Sequence, residues 1–466
     1  MDGHEPRRFC PSRSHVDHRM NTPVTIRAAT VGPRHHLFGF HDLVQWNARG
    51  DRMLALEVED ISHPPLPGQA ALSGVVDPET QAFIPVAPTT AFNYPQGSRQ
   101  QWIGEGNLFL FNDRVGESWG SRIADADTRR VVETLPFAVH TCDPATGRTF
   151  GINYARLHRV GGYGYVGLPD LGAASDIPDD DGIHCGELRT GTCSLLVSIR
   201  AVAACGERQP VMTGYPHYLT HLLLNPARTR LAFLHRYRLP DGGEATRLMT
   251  VGTDGTGLRC LAKGFLSHFD WLDDGTVFIW GRMDGGMANL RENPLLRLPV
   301  VRDALRLAKR SVRGLLGRTT SVLQVSFLRV RDVAGGVPQP VARGVLTEDG
   351  HPMVCPAARD WLVNDTYPDA QGERTLMLYN HVQNRRIDLG RFRMLDARPG
   401  PVAEAFEGVD PRIRRQFSDT QYLFTRSGYH CDLHPRWKGD GTAVAFDSIH
   451  EGTRQIYVAD VRGICL

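Results

Sequence analysis

Four histidines stand at one position of a recurring pattern: His221, His268, His351 and His434. Each lies three residues before a Trp, or before the apolar residue that takes its place, in a short strand-like run. Imidazole titrates near neutrality, ligates divalent metals through a neutral ring nitrogen, and moves protons. If the pattern is a structural repeat, its equivalent positions point to equivalent places, and four imidazoles meet. Arg99 holds the same position before Trp102 in an earlier copy. Two copies depart: His140 sits one residue off, and Leu43 takes the position in the first copy with His41 close by. A histidine before such a Trp also has a purely structural use, as a hydrogen-bond partner of the neighbouring repeat.

The strand after each of these runs returns toward the same end, so its last residues join the same surroundings. They are Asn112 to Arg114, Asn153 to Arg156, His235-Arg236, Trp280 to Arg282, Asn364-Asp365 and Asp447-Ser448. Arginine matches planar anions with bidentate hydrogen bonds. His430, Asp432 and His434 alternate, which on an extended strand places three side chains on one face. That spacing suits a divalent metal, although the pattern by itself has low specificity. The run Gly161 to Gly167 carries no lysine and is not a phosphate loop. Its Tyr163 and Tyr165 either stack on a sugar ring or are ordinary strand aromatics.

The elements that must position these groups are clearest at the C-terminal end. A strand leads to Trp437, Lys438 to Gly441 form a tight turn, Ala443 to Phe446 an apolar strand, and Gln455 to Val458 a third. One such meander cannot bury both faces alone and needs copies beside it. Weaker copies begin at His351, His268, His221, His140, Gln100 and Gln45. Seven similar units predict an all-β protein, a seven-bladed β-propeller. The blades are expected over about 36–90, 91–136, 137–212, 213–263, 264–345, 346–400 and 401–466. Residues 1–21 read as a disordered lead and 22–466 as one propeller, with Thr22 to Thr30 pairing with the last blade. Pro169 to Asp181 is an acidic loop inside blade three. Residues 293–318 break the strand pattern. Val301, Leu305, Ala308 and Val312 recur at helical spacing opposite Arg302, Arg306, Lys309 and Arg313. This basic amphipathic helix in blade five packs on the outside of the ring, acts as a lid, or makes peripheral contact with an anionic membrane surface.

Charge is balanced, with 53 basic and 51 acidic residues, so nothing global points to nucleic acid. Nine cysteines, an odd count without a Cys-x-x-Cys, disfavour a disulfide framework and a thiolate zinc site. Cys142 and Cys355 fall where the repeat needs a small buried residue. A reducing, cytoplasmic location follows. No apolar run is long enough for a transmembrane span, and the N-terminus has no signal-type apolar region.

The unit His434-Pro-Arg-Trp437, Asp440-Gly441, Val444, Phe446-Asp-Ser448 and Arg454-Gln-Ile-Tyr-Val458 resembles the repeats of TolB-type propellers. With its His- and Arg-rich mouth, the chain is also similar to seven-bladed polysaccharide lyases of the oligogalacturonate, ulvan and rhamnose–glucuronate types. That resemblance implies an acidic oligosaccharide as ligand and one divalent ion (Mn, Ca or Zn) held at the mouth by histidines. It implies β-elimination, in which the uronate carboxylate is neutralised, a base takes the C5 proton, and an acid serves the leaving oxygen. The expected catalytic residues are His221, His235 and Tyr154. Arg99, Arg114, Arg156, His158, Arg236, Arg282 and Asp365 are expected to bind substrate, and His268, His351 and His434 to hold the metal. The alternative is a non-catalytic propeller that binds a glycan or protein through the same face, within polysaccharide assembly for instance.

Overall fold

The computed structural model describes residues 19–21, 24–206, 214–238, 244–283, 325–414 and 418–465. Strands dominate, and consecutive strands pair antiparallel into six sheets. The first sheet contains His35–Leu37, Met53–Val58, Ala71–Asp77 and Ala82–Thr89. The second contains Gln101–Trp102, Leu108–Val115, Ser118–Asp125 and Arg130–Leu135. Thr141–Cys142, Arg148–Gly151, Gly182–Glu187 and Thr192–Ser198 form the third. A seven-stranded sheet runs from His217–Leu224 to Gln339–Val341. Its long strand Arg259–Asp273 pairs with Glu244–Gly252 through its first half and with Thr276–Met283 through its second. The sheet is therefore two four-stranded meanders joined by one shared strand.

The two remaining sheets recruit the N-terminal end of the chain. Arg19–Asn21 pairs parallel with Arg386 to Asp388, at the edge of a sheet built from Met353–Val354, Trp361–Asn364, Glu373–Asn380 and Arg385–Arg393. Ile26–Ala28 pairs antiparallel with Gln455–Asp460, completing a last sheet with Arg436–Trp437 and Ala443–Ser448. This is the closure expected for Thr22 to Thr30. Residues 1–18 and the predicted helix at 293–318 lie outside the described residues.

Strands in this protein are buried on both faces because each sheet is sandwiched between two others. Phe38, Leu54 and Val75 of the first sheet pack on Trp102, Phe109 and Phe111 of the second. Leu110 and Ile123 then meet Val139 and Cys142, and Phe150 and Ile183 meet Tyr218, Leu231 and Phe233. The layers continue through Leu234 with Phe269 and Trp271, Phe278 with Val354 and Leu362, and Val363 with Trp437 and Phe446. Finally Ala445, Ile456 and Val458 of the last sheet pack on Trp46, Met53 and Ala55 of the first.

The Trp of the repeat fastens neighbours together. Trp102 donates its indole N–H to Gln45 O at 2.9 Å, Trp271 to Leu223 O at 3.1 Å and Trp437 to Met353 O at 2.9 Å. Each bond crosses to the preceding unit, so a bulky apolar side chain is seated with its polar end satisfied. Three residues before Trp102, Trp437 and the equivalent Leu224, Arg99, His434 and His221 adopt left-handed backbone, with φ of 56°, 42° and 59°. Such φ is uncommon for a residue with a Cβ, and it interrupts the ladder and re-aims the side chain.

Candidate functional site

The interrupted ladders bring the repeat histidines together. The rings of His268 and His351 lie 4.1 Å apart between centroids, His351 and His434 4.3 Å, and His221 and His268 5.7 Å. Phe40 stands among them, 4.8 Å from His221, 5.8 Å from His268, 6.1 Å from His351 and 5.0 Å from His434. The four histidines line a cavity of about 290 Å3 with Tyr163, Arg236, Tyr367, Arg426 and Asp432.

Three buried groups in its wall are arranged as ligands. One donor atom each from His351, Asp432 and His434 lies within 4.8 Å of the others. The tautomers follow from the partners. His434 places Nδ1 2.9 Å from Gly39 O, and His351 places Nδ1 2.8 Å from Asp365 Oδ1. Both partners only accept, so each Nδ1 carries a proton and, in the neutral ring, Nε2 keeps a lone pair. Asp365 also accepts from the backbone N–H of His351 at 2.8 Å and, through its other oxygen, from that of His434 at 3.2 Å. One carboxylate thereby orients two ligands from adjacent sheets. Arg374 Nη1 lies 2.7 Å from Asp432 Oδ1. Two imidazole nitrogens and a carboxylate form a donor set that fits a divalent ion.

The electrostatics agree with that donor set. Burial disfavours charge on Asp432, but His430, Arg374, His351 and His434 outweigh it and hold its carboxyl well below the ordinary range. Burial, then the neighbouring His351, push His434 well below the usual imidazole value. His268 is lowered by the same two causes, and His221 by burial and then Arg236. His351 moves the other way: burial pulls it down, and the Asp365 carboxylate more than reverses this. Burial and Arg374 take His430 down to about 4, against the opposing pull of Asp432. His41 is 1% exposed beside the cluster, and neither of its ring nitrogens has a hydrogen-bond partner in the described structure.

Of the residues expected from sequence to catalyse, bind substrate or hold metal, His221, His268, His351, His434 and Arg236 meet in this cavity, together with Tyr163, His430 and Asp432. The others are placed elsewhere. His235 alternates with Arg236 along one strand and points the other way, with Nε2 3.0 Å from His217 Nδ1. Tyr154 hydrogen-bonds His140 and stacks on Tyr165 at 4.2 Å in a separate buried layer. Arg99 makes a bidentate pair with Asp42 at 2.9 and 2.8 Å and donates to His140 O, all within the interior. Arg114 is at the surface, paired with Glu117. Arg156 and His158 do not end a strand. The Asn153 side chain accepts from Arg156 N at 2.9 Å and caps a helical turn that carries both residues away. Arg156 then donates to His217 O and His158 to Glu407 O. Arg282 pairs with Phe265 in a ladder and is not part of the cavity wall. Asp365 is fully buried behind His351 and supports it, out of reach of a ligand.

Phe40, Tyr367 and Arg426 were not among the residues singled out. Phe40 is next to His41, and Tyr367 follows Asp365 by two positions, so both carried a weak signal. Arg426 comes from a helix between two sheets and carried none. Asp432 was visible in its alternating motif.

No protein-family model matches this chain, and no curated protein matches it in sequence. Among the solved structures it resembles, oligogalacturonate lyase from Vibrio parahaemolyticus has a TM-score of 0.54 at 13% identity, covering 95% of each chain. An oligogalacturonate lyase in complex with manganese has a TM-score of 0.51 at 13% identity, covering 95% of this chain and 97% of that one. Identity this low speaks for fold alone. Among the described residues no helix is long and apolar enough to cross a membrane. In fold this chain is a β-propeller, and it resembles the solved oligogalacturonate lyases.

Proposed function

We propose that this chain is a seven-bladed propeller that acts by β-elimination on uronate-containing oligosaccharides, with one divalent ion at His351, Asp432 and His434. Six sheets, one of them two meanders joined by a shared strand, with the last packed on the first, support a count of seven blades. The observation that carries the functional reading is the buried trio of ligands in the wall of a cavity that also holds Arg236, His221 and Tyr367. The manganese in one structural neighbour is compatible with that donor set.

His351, Asp432 and His434 would hold a divalent ion, which would supply positive charge beside a uronate carboxylate and so make its C5 proton more acidic. The chain's own residues do the rest. Arg236, oriented by a 3.2 Å hydrogen bond to Tyr163 OH, pairs with the carboxylate. His221 takes the C5 proton. Its Nδ1 contact with Thr220 Oγ1 at 2.9 Å fixes the ring, and its lowered proton affinity keeps it unprotonated at neutral pH. Tyr367, whose phenol is held well above its ordinary pKa by burial and then Asp432, stays protonated and serves the leaving oxygen. All eight cysteines among the described residues are free thiols, in keeping with a reducing compartment.

The test is to incubate the purified protein with a panel of uronate oligosaccharides, with and without manganese, and follow absorbance of the new C4–C5 double bond. Metal-dependent product is expected. No product from any substrate under either condition would retire the lyase. The second reading, a glycan-binding propeller without turnover, is favoured by one observation. His235 and Tyr154, two of the three expected catalytic side chains, are tied into other layers. Binding of the same oligosaccharides without product would establish it.

A further inference from the structure

The connection between the last two sheets does not take a short path. After Arg385–Arg393 the chain forms a turn at Ala403–Phe406 and helices at Pro411–Arg414 and Asp419–Arg426, then returns for Arg436–Trp437. These elements pack on the helical insertion of the third sheet. Asp410 N donates to Arg159 O at 3.0 Å, and Arg159 Nη1 to Asp410 Oδ2 at 3.0 Å. Arg412 pairs with Asp176 at 3.0 Å. The segment is a strap, tied at one end to the last sheets and along its length to the third.

The C-terminal end of its second helix delivers Arg426 to the mouth. That guanidinium donates Nε to Gly162 O at 2.7 Å, Nη2 to Gly161 O at 3.2 Å and Nη1 to Thr425 Oγ1 at 2.8 Å. It lies 5.7 Å from the Tyr163 ring and 5.4 Å from the Tyr422 ring. Three of its five N–H groups are used and two remain. Among the described residues no carboxylate is within ion-pair distance of Arg426. Arg236 reaches the same Tyr163 from its hydroxyl end, at 3.2 Å. Two guanidiniums thus bracket one phenol ring in the wall of one cavity. Arg236 lies 3.5 Å from the Glu244 carboxylate, which also binds Tyr218 OH at 2.8 Å and lies 3.3 Å from Arg238, and Asp432 lines the same cavity, paired with Arg374. At Arg426 the positive charge is held in place by neutral carbonyls, a hydroxyl and rings, with spare donors, an arrangement that receives a planar anion.

We infer that Arg426 and Arg236, bracketing Tyr163, form a carboxylate-binding subsite of the mouth, completed only when the strap is seated. The ligand class is the carboxylate of an acidic sugar, which rests on the function proposed above. The rings give the sugar an apolar face to lie on, and the spare Arg426 donors read its charge. Specificity for acidic over neutral sugars therefore depends on a residue that belongs to none of the sheets.

The experiment is a ligand-observed NMR titration of the manganese-loaded full chain with galacturonate and with galactose, with manganese affinity and melting temperature measured alongside. The proteins are the wild type, Arg426→Gln, Arg426→Lys and Asp410→Asn, the last loosening the strap without touching the cavity. We expect the wild type to prefer galacturonate. Arg426→Gln loses about tenfold or more of that affinity, as for one charge-assisted hydrogen-bonded contact. Arg426→Lys falls between, Asp410→Asn weakens galacturonate too, and manganese affinity is unchanged in all. Equal galacturonate affinity in wild type and Arg426→Gln overturns the subsite and leaves the proposed function standing. A wild type that binds neither sugar overturns both. Unchanged affinity in Asp410→Asn overturns the dependence on the strap. Should Arg426→Gln fail to fold, Arg426→Lys decides, because wild-type affinity with a lysine overturns the need for a guanidinium.

Discussion

The same repeat position has two fates on the two sides of the mouth. In the later units His221, His268, His351 and His434 line an open cavity. In the second unit Arg99, with the same left-handed backbone as His221 and His434, is closed into the interior by Asp42 and His140 O. His140 of the third unit is likewise sealed, hydrogen-bonded to Tyr154 and fully buried. The repeat sets the direction of the side chain. What meets it there decides whether it serves a ligand or the fold. A carboxylate that reaches the charged end, as Asp42 does, makes a structural bolt. A carboxylate that stands behind the ring, as Asp365 does, leaves the working nitrogen free.

The largest effects separate the two sides outright. On the open side, His434→Ala removes a ligand, and metal analysis of the purified variant should find the trio unable to retain manganese, with turnover lost. On the closed side, Arg99→Ala should leave manganese affinity unchanged and lower stability by about 3–5 kcal/mol in urea unfolding, because Asp42 is left buried and unpaired. If instead Arg99→Ala abolished metal binding, the division of the mouth into two sides would fail.

Asp365→Asn comes next. It keeps the volume behind His351 but weakens the hold on its tautomer, and calorimetric titration should show manganese affinity down about tenfold to a hundredfold. The pH dependence of the metal-free protein is smaller and has a definite sign. Burial, then neighbouring charge, lowers His41, His221 and His434 well below 6.5. The unfolded chain therefore takes protons more readily than the folded one. Their contribution to stability is present above pH 6.5 and is lost as pH falls below it. His351, raised by Asp365 against burial, contributes oppositely: its share is present below pH 6.5 and lost as pH rises through its folded value. His268 and His430 are lowered as well, and five lowered groups of the cluster against one raised predict a net loss on acidification, measurable as a falling urea midpoint. The smallest effect compares equivalent bolts. Trp102→Phe and Trp437→Phe each remove one indole hydrogen bond to the preceding unit, and each should cost about 0.5–1.5 kcal/mol. A cost confined to one side would mean that the units are not equivalent.

The repeat was legible in the amino-acid order because its signals are local. Trp437, the turn at Lys438 to Gly441 and the β-branched strand after it each report their own conformation, and copies of them report the ring. The convergence of His268, His351 and His434 followed from register alone, since equivalent positions of a repeat cannot avoid equivalent places. The strand ends were less legible. His235 and Arg236 are adjacent, and a period of two sends one to the cavity and the other into a sheet interface. Which goes where depends on a register that the irregular ladder between Thr220 and Leu223 has shifted. Tyr154, Arg156 and His158 looked like a strand end until the Asn153 cap turned the chain into a helix.

Sequence by itself determined the periodic part of this protein: a sheet-rich ring, the bolts between its units, and the position from which histidines look inward. Only the tertiary structure decided the partners. Asp42 reaches Arg99, Asp365 reaches His351, and Arg426 arrives on a strap that packs against a distant unit. Periodicity is a property of neighbours along the chain. Pairing of charges is a property of neighbours in space, where separations of 57 residues between Arg99 and Asp42, or 264 between Arg426 and Gly162, leave no trace in local pattern.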